Sequence, residues 1–171
     1  MLGVVQMIEM VRLLTDNGIE VWIDGGWGVD ALLGRQTREH EDLDIAIEHR
    51  HVPKLRTLFE ERGYRDVPRD DTRDCNFVLG DDQGRILDIH TFTFDEDGNN
   101  IFGCEYPLDS LTGSGTLRGY DLKCISAEWA VKFHSGYELK RKDYDDVRGL
   151  CDHFGIALPA EYLKFVSDGD S

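Results

Sequence analysis

Residues 42–47 carry the pattern that most constrains the fold of this chain. Apolar side chains alternate there with acidic or small ones, in the order Asp42, Leu43, Asp44, Ile45, Ala46, Ile47. A period of two is typical of a β-strand with one face against a core. The pattern therefore predicts a strand that is apolar on one face and acidic on the other.

The two carboxylates of this strand raise a question of charge. Asp42 and Asp44 share a face, with their Cα atoms about 7 Å apart. Two such carboxylates repel each other, and burying both without a cation is costly. Mg²⁺ takes oxygen ligands and often combines one or two carboxylates with substrate phosphates. Either both acids face water, or they bind a divalent metal, and so short a pattern leaves both readings open.

A glycine pair stands directly after an apolar stretch, residues 19–23, which predicts another strand. We expect a sharp turn at Gly25 and Gly26, followed by a short helix over residues 27–33. Glycine lets a backbone approach a phosphate closely, and the free N–H groups of a helix N-terminus bind anions. The pair belongs to neither a G-x-x-x-x-G-K-[ST] motif nor a G-x-G-x-x-G motif. Two interpretations remain, an ordinary tight turn and a phosphate-binding site.

A third carboxylate lies on a predicted strand over residues 85–94. Alternation places Asp88 and His90 on one face of that strand. A carboxylate there could complete a metal site or act as the general base toward a hydroxyl. His90 would lie beside it, as part of the site or as an ordinary structural histidine.

The remaining elements predict an α/β (α+β) domain with a mixed sheet flanked by helices and with helices at its C-terminal end. Residues 75–79 and 85–94 should form a hairpin around a glycine-containing turn. Residues 95–119 should contain only short strands. We expect helices over residues 4–16, 52–62, 127–137, 144–154 and 160–166.

Composition excludes several classes of function. The chain has 171 residues, with 34 acidic and 19 basic side chains and a net charge of −15. This charge disfavours nucleic acids and anionic membranes as partners, and no apolar run approaches the roughly 18 residues of a membrane span. The N-terminal residues show no basic leader. We therefore expect a cytoplasmic protein, with its four scattered cysteines reduced and unpaired.

Three stretches of the chain carry a family resemblance. They are residues 22–47 (WIDGGWGVDALLGRQTREHEDLDIAI), 87–99 (LDIHTFTFDEDGN) and 124–139 (CISAEWAVKFHSGYEL). The chain resembles the nucleotidyltransferase superfamily typified by DNA polymerase β. Within it, the chain is most similar to the small antibiotic nucleotidyltransferases, above all those acting on lincosamides. The aminoglycoside 2″-nucleotidyltransferases look like more distant relatives, and residues 66–74 and 101–119 match the lincosamide enzymes poorly.

The resemblance implies a metal-dependent adenylyltransferase with the fold of that superfamily. Mg²⁺ and ATP, or another nucleoside triphosphate, would bind at Asp42 and Asp44, with Gly25 and Gly26 against the phosphates. Asp88 would be a third metal ligand or the base for the accepting hydroxyl. The α-phosphorus would be attacked in line, joining AMP to the acceptor and releasing pyrophosphate. Residues 1–120 would form the catalytic core, with a helical segment, residues 121–171, packed on it.

Three basic side chains are further candidates for triphosphate binding. Arg38 and His40 precede the acidic strand, and arginine suits bidentate phosphate binding. Lys132 falls on the predicted helix over residues 127–137 and could reach a phosphate. Each of the three could equally be an exposed residue of a polar surface.

Two other acidic clusters have a structural interpretation. Residues 95–100 lack the glycine and glutamate positions of a calcium-binding EF-hand loop, so they predict a solvated turn. Asp143, Asp145 and Asp146 fall early in a predicted helix, where they would complement its dipole.

The acceptor and the assembly state are the finer questions. A lincosamide is the expected small-molecule acceptor, with an aminoglycoside as the alternative that an acidic cleft would suit. An antitoxin-like or partner-binding nucleotidyltransferase module is an alternative of another class. So short a chain leaves little protein to enclose a bulky antibiotic, which favours a homodimer.

Overall fold

The computed structural model describes residues 1–166. Its helices are α1 Val4–Thr15, α2 Gly25–Leu33, α3 Val52–Glu60, α4 Ala127–Phe133, α5 Arg141–Phe154 and α6 Leu163–Val166. Its strands are β1 Trp22–Asp24, β2 Asp42–Glu48, β3 Arg65–Asp66, β4 Asn76–Gly80, β5 Ile86–Phe94, β6 Asn100–Gly103, β7 Gly113–Leu117 and β8 Tyr120–Cys124. Short 3-10 turns cover His49–His51, Leu108–Thr112 and Ala160–Tyr162.

The strands described in residues 1–166 form one mixed sheet. Their order is β3-β4-β5-β2-β1-β8-β7, and β6 pairs with β5 beyond the end of β4. The pairs β2–β5 and β1–β8 are parallel, whereas β1 and β2 are antiparallel. This arrangement confirms the predicted mixed α/β architecture with flanking helices.

Helices cover both faces of the sheet. One face carries the apolar side chains of β2 and β5, such as Leu43, Ile45 and Ile89, and packs against α1 and α3. On the other face, Trp22 and Phe92 pack against α4 and α5. Helix α2 contributes to both cores. A cleft opens at the acidic end of β2, where Asp42 and Asp44 remain half-buried.

Most of the predicted helices and strands are confirmed, but several boundaries move. Helix α3 ends at Glu60 instead of residue 62, the strand predicted over residues 19–23 is Trp22–Asp24, and the helix predicted over residues 160–166 is a 3-10 turn followed by α6. Helix α2 begins at Gly25 instead of residue 27, because the Asp24 side chain caps it by accepting from the Gly25 N–H at 2.8 Å. Helix α4 ends at Phe133 instead of residue 137, because His134 leaves helical geometry and Gly136 has a φ of 79°. Helix α5 begins at Arg141 instead of residue 144.

The segment after residue 120 contributes to the sheet as well as to the helices. Strand β8 lies between β1 and β7, with Cys124 opposite Ile23 of β1. The proposed division of the chain after residue 120 thus falls at the start of a central strand. Within residues 1–166, none of the helices combines the length and apolar character that crossing a bilayer requires. All four cysteines carry free thiols.

Candidate active site

Strand register brings the predicted carboxylates together. Asp44 of β2 lies directly opposite Asp24 of β1 on one side and Asp88 of β5 on the other. Asp42 and His90 share this face, because side chains two residues apart on a strand point the same way. Asp42, Asp44 and Asp88 are each half-buried.

One part of this group has the geometry of a cation site. The Nε2 atom of His90 lies 3.3 Å from Oδ1 of Asp88 and 4.0 Å from Oδ1 of Asp44. One ligand atom from each of these three residues lies within 4.8 Å of the others. Asp42 stands beside this group and is not one of its three members. Two carboxylates and one imidazole can bind a divalent metal. The carboxylate oxygens are the ligands that Mg²⁺ prefers, whereas an imidazole nitrogen is a ligand for transition metals.

The protonation of the site reflects its crowded negative charge. Burial raises the pKa of Asp42 to about 6, and the charge of Asp44 adds to this effect. Burial likewise raises the pKa of Asp88 to about 6, although His90 opposes the change. Burial alone would lower the pKa of His90, but the nearby carboxylates of Asp44 and Asp88 raise it to about 11. A bound cation would relieve the repulsion among these acids.

The two glycines at the start of α2 are required by close neighbours. Gly25 has a φ of 58°, and a Cβ there would overlap the carboxylate of Asp44. A Cβ at Gly26 would overlap Nη2 of Arg38 and Nδ1 of His40. Gly26, Arg38 and His40 thus lie in close contact at the N-terminus of α2, and all three line one cleft. We call this group the Gly26 notch. Helix N–H groups and two basic side chains converge there, as an anion site requires.

Buried acids hold both basic groups of the notch. His40 is 3% exposed and its Nε2 lies 2.5 Å from Oδ2 of Asp30, which is fully buried in α2. Arg38 donates from Nε and Nη2 to the two carboxylate oxygens of Asp146, at 3.1 and 2.9 Å. The imidazole of His40 also packs on Trp27, with ring centroids 4.3 Å apart. Trp27, which is 1% exposed, therefore lies under the loop as part of the core.

The notch, Asp42 and Asp44 line a single cleft of about 440 Å³, and Asp88 lies beside Asp44 outside that lining. The walls of the cleft come from α2, from the loop before β2, and from the segment that contains α5. The lining includes the predicted residues Gly25, Gly26, Arg38, His40, Asp42 and Asp44, together with the C-terminal residues His134, Tyr137, Lys142, Asp143 and Asp146. Helix α5 and the turn before it thus form one wall of the cleft.

The predicted residue Lys132 is not brought into this cleft. It is exposed on α4, and its Nζ lies 4.3 Å from the ring centroid of Trp129. Lys142, which sequence reasoning missed, lines the cleft instead. Its positive charge acts against the rise in the pKa of Asp42.

The acids at the start of α5 divide into three different roles. Asp143 accepts from the backbone N–H of Lys140 at 2.7 Å, a helix N-terminal role as predicted. Asp145 is exposed and pairs with Arg141 at 3.2 Å. Asp146 departs from the prediction, because it is 3% exposed and binds Arg38.

A sequence signal for Asp146 and Asp30 did exist. Asp146 follows the buried Tyr144 by two residues, precedes Val147 by one, and lies on the buried side of α5. Asp30 stands inside the apolar run of α2. An acid on a buried helical face needs a partner, so each predicts a nearby cation or donor.

At residues 95–100 the prediction of a turn is confirmed, since Asp95 accepts from the N–H groups of residues 97 and 99.

Comparison with known sequences gives matches over most of the chain. A family profile described as aminoglycoside-2''-adenylyltransferase matches residues 6–150. A lincosamide resistance protein of Staphylococcus haemolyticus is 36% identical over 151 residues, covering 85% of this chain and 92% of that protein. A 2''-aminoglycoside nucleotidyltransferase of Escherichia coli is 29% identical over 124 residues, covering 70% of this chain and 66% of that protein.

Solved structures agree with this result. The lincomycin-bound crystal structure of the lincosamide antibiotic adenylyltransferase LnuA matches with a TM-score of 0.75 at 27% identity, covering 91% of this chain and 99% of that one. ANT(2'')-Ia in complex with adenylyl-2''-tobramycin matches with a TM-score of 0.72 at 21% identity, covering 95% and 92%. The second likeness concerns the fold alone.

Proposed function

The chain belongs to the aminoglycoside-2''-adenylyltransferase family, and on that premise we propose that it transfers AMP from ATP to a hydroxyl of a lincosamide antibiotic. The observation that carries this proposal is the placement of Asp88 beside Asp44, which itself lines the cleft that contains the Gly26 notch. Nucleotidyl transfer brings a metal ion, a triphosphate and an acceptor hydroxyl together in one site. Paired carboxylates can bind the metal, and an anion site next to them can bind the triphosphate.

The donor set fits a divalent metal, which we take to be Mg²⁺. Asp44 and Asp88 would hold it, with Asp42 contributing from the same face and His90 beside them. When bound, the ion supplies stabilisation of the negative charge that develops on the phosphate oxygens. Asp88 is half-buried with its pKa raised to about 6, so near neutral pH it is largely ionised and able to accept a proton.

The remaining residues have roles at the triphosphate and at the acceptor. The Gly26 notch would bind phosphate oxygens through Arg38, His40 and the N-terminus of α2. The acceptor hydroxyl would lose its proton to Asp88 while its oxygen forms a bond to the α-phosphorus. The bond from that phosphorus to the bridging oxygen breaks, and pyrophosphate leaves with the electron pair.

The choice of acceptor rests on the similarity to the relatives. The lincosamide resistance protein is matched over 92% of its length, whereas the aminoglycoside enzyme is matched over 66%. A lincosamide is therefore the proposed acceptor. An aminoglycoside is the alternative, since the acids lining the cleft would attract a polycation.

Two finer features belong to the same proposal. Free thiols throughout the chain support a reducing, cytoplasmic location. A homodimer is supported by β6, which carries exposed apolar side chains at Ile101 (62% exposed) and Phe102 (42% exposed) beyond the end of β4. An apolar edge strand of this kind is available for pairing with another chain.

A mass-shift assay tests the proposal directly. The purified protein is incubated with Mg²⁺ and each nucleoside triphosphate, against lincomycin, clindamycin and several aminoglycosides. We expect one AMP to be added to a lincosamide, with loss of product in Asp44→Asn and no loss in Asp145→Asn, an exposed acid outside the cleft. Product on an aminoglycoside alone would move the acceptor to the alternative class. No product on any drug, with nucleotide still bound, would favour a partner-binding module.

A further inference from the structure

Arg38 is held in a way that leaves one hydrogen of its Nη2 without an acceptor within residues 1–166. Its Nε and Nη2 atoms donate to Asp146, and Nη1 donates to the carbonyl of Glu39 at 3.1 Å. Nη2 carries two hydrogens, and only one of them is used by Asp146. Nη2 packs beside Gly26, well inside van der Waals distance of where a Cβ of that residue would stand, and both residues line the cleft. The second hydrogen of Nη2 is therefore the one that an anion bound beside Gly26 would meet.

Asp146 is well placed to fix this orientation. Its side chain is 3% exposed, and it belongs to α5, 108 residues from Arg38 along the chain. Both carboxylate oxygens are engaged by the planar guanidinium, which sets the plane as well as the position of the group. The Nε2 atom of His134 lies 4.0 Å from Oδ2 of Asp146 and forms the other side of its surroundings.

An arginine without such a partner would sample many rotamers. Its side chain has large rotamer entropy, and ordering it on binding would weaken affinity for the ligand. The Arg38 side chain is 30% exposed, so burial alone does not confine its guanidinium. Asp146 and the carbonyl of Glu39 do, before any nucleotide arrives.

We propose that Asp146 is a positioning residue for the nucleotide, holding Arg38 so that Nη2 meets a phosphate oxygen in the Gly26 notch. This role rests on the proposed function, because it requires a triphosphate in the cleft. It gives α5 a part in nucleotide binding, through a contact with a residue of the loop before β2. Asp146 itself does not touch the nucleotide.

The test compares Asp146→Asn with Asp145→Asn, its neighbour on the exposed side of α5. Binding of ATP, AMP and inorganic pyrophosphate is measured by calorimetry with Mg²⁺, and the melting temperature is recorded for each variant. We expect Asp146→Asn to weaken ATP and pyrophosphate about tenfold and AMP less than twofold. Asp145→Asn should change none of them. A fall in melting temperature with unchanged ATP and pyrophosphate affinity would make the ion pair a purely structural link and overturn the proposal.

A second pair of variants tests whether Asp146 acts through Arg38. In an Arg38→Gln background, Asp146→Asn should have no further effect on ATP binding, since the group that it orients is gone. Equal losses in both backgrounds would overturn the proposal. If Asp146→Asn fails to fold, Asp146→Glu keeps the charge and shifts the carboxylate by one methylene. Weakened pyrophosphate binding in this folded variant supports positioning, and unchanged binding overturns it.

The same measurements separate this proposal from the proposed function. A wild-type chain that binds neither ATP nor pyrophosphate would overturn the function, and the role of Asp146 with it. Tight wild-type binding that is indifferent to Asp146→Asn would overturn the role of Asp146 alone.

Discussion

The imidazole of His40 and the carboxylate of Asp30 form a buried pair, with Nε2 and Oδ2 2.5 Å apart. The other oxygen of Asp30 accepts from the N–H and the hydroxyl of Thr37, at 3.1 and 2.6 Å. Asp30 thus ties α2 to two points of the loop that leads into β2. The position of His40 in the Gly26 notch depends on this carboxylate.

We expect Asp30→Ala to destabilise the protein by about 3 kcal/mol, because it leaves His40 and Thr37 without their buried acceptor. Urea unfolding measures the change. Asp16→Ala serves as the control, since Asp16 is exposed just after α1. This substitution should change the free energy of unfolding by no more than about 0.5 kcal/mol. Equal effects in the two variants would mean that the buried pair contributes little to stability.

Gly26→Ala should disrupt the notch. The φ of Gly26 is not in the left-handed region, but a methyl group there would overlap Nη2 of Arg38 and lie 2.5 Å from Nδ1 of His40, so both side chains must move. We expect ATP binding to weaken at least tenfold, measured by calorimetry. Gly149→Ala on α5 is the matched control, because its methyl would meet only the mobile end of Leu33. Normal ATP binding by Gly26→Ala would place the phosphates elsewhere in the cleft.

The metal-free protein should lose stability as pH rises from about 4 to 6. Asp42 and Asp88 have a pKa of about 6 in the folded state, against an ordinary 3.8. The folded state therefore binds more protons than the unfolded state in this window. The stability that comes from this extra proton binding is lost once the pH exceeds about 6. Asp42→Asn removes one such group and should raise the free energy of unfolding by about 1 kcal/mol at pH 7.5, after allowance for partial exposure.

The effect of Asp42→Asn on the free energy of unfolding should depend on pH, and this dependence checks the prediction. At about pH 3 Asp42 is largely protonated in both the folded and the unfolded state, so Asp42→Asn should bring no gain there. Denaturant unfolding at about pH 3 and pH 7.5, with a chelator present, measures the free energy of unfolding at both values. A gain of the full size at the lower pH, or a loss at pH 7.5, would contradict the assignment of a raised pKa to Asp42.

Asp88→Asn should weaken metal binding as well as transfer. Asp88, Asp44 and His90 offer ligand atoms within 4.8 Å of one another, so removing one carboxylate takes away a ligand. We expect Mg²⁺ binding, followed by calorimetry, to weaken at least tenfold and AMP transfer to fall at least a hundredfold. Loss of transfer with intact Mg²⁺ binding would instead identify Asp88 as the base alone.

Strand β6 provides the test of assembly. If Ile101 and Phe102 lie in a subunit interface, light scattering of the wild type gives twice the mass of one chain, and Ile101→Lys gives the single mass. Lysine on an edge strand opposes pairing with another chain. Leu163→Lys, at another exposed apolar side chain, should leave the mass unchanged. A wild type with the mass of a single chain would rule out the homodimer.

The acids and glycines of the cleft were predictable because each lies in a short local pattern. Alternation along β2 and β5 located Asp44 and Asp88, and in-register pairing of parallel neighbours then placed them together. The glycine pair marked the start of α2. The same residues carried the family resemblance, which the match over residues 6–150 confirms.

The C-terminal wall was not predictable in the same way. Lys132 and Lys142 both stand near predicted helices, and nothing local distinguishes them. The choice depends on where α4 ends and how the chain turns back, which the break at His134 decides. The position of Asp146 near the helix start predicted a role at the helix dipole. Its actual partner, Arg38, lies in a loop 108 residues earlier in the chain, which no local pattern could indicate.

That separation has a consequence for how the protein is made. The Arg38–Asp146 contact closes a loop of 108 residues, so a nascent chain holds the acids of β2 and β5 long before it can close the wall of the cleft. Contacts of such long range form late, because the entropy of the intervening chain must first be overcome. Capture of a triphosphate in the Gly26 notch would then be reserved for chains whose synthesis has passed α5.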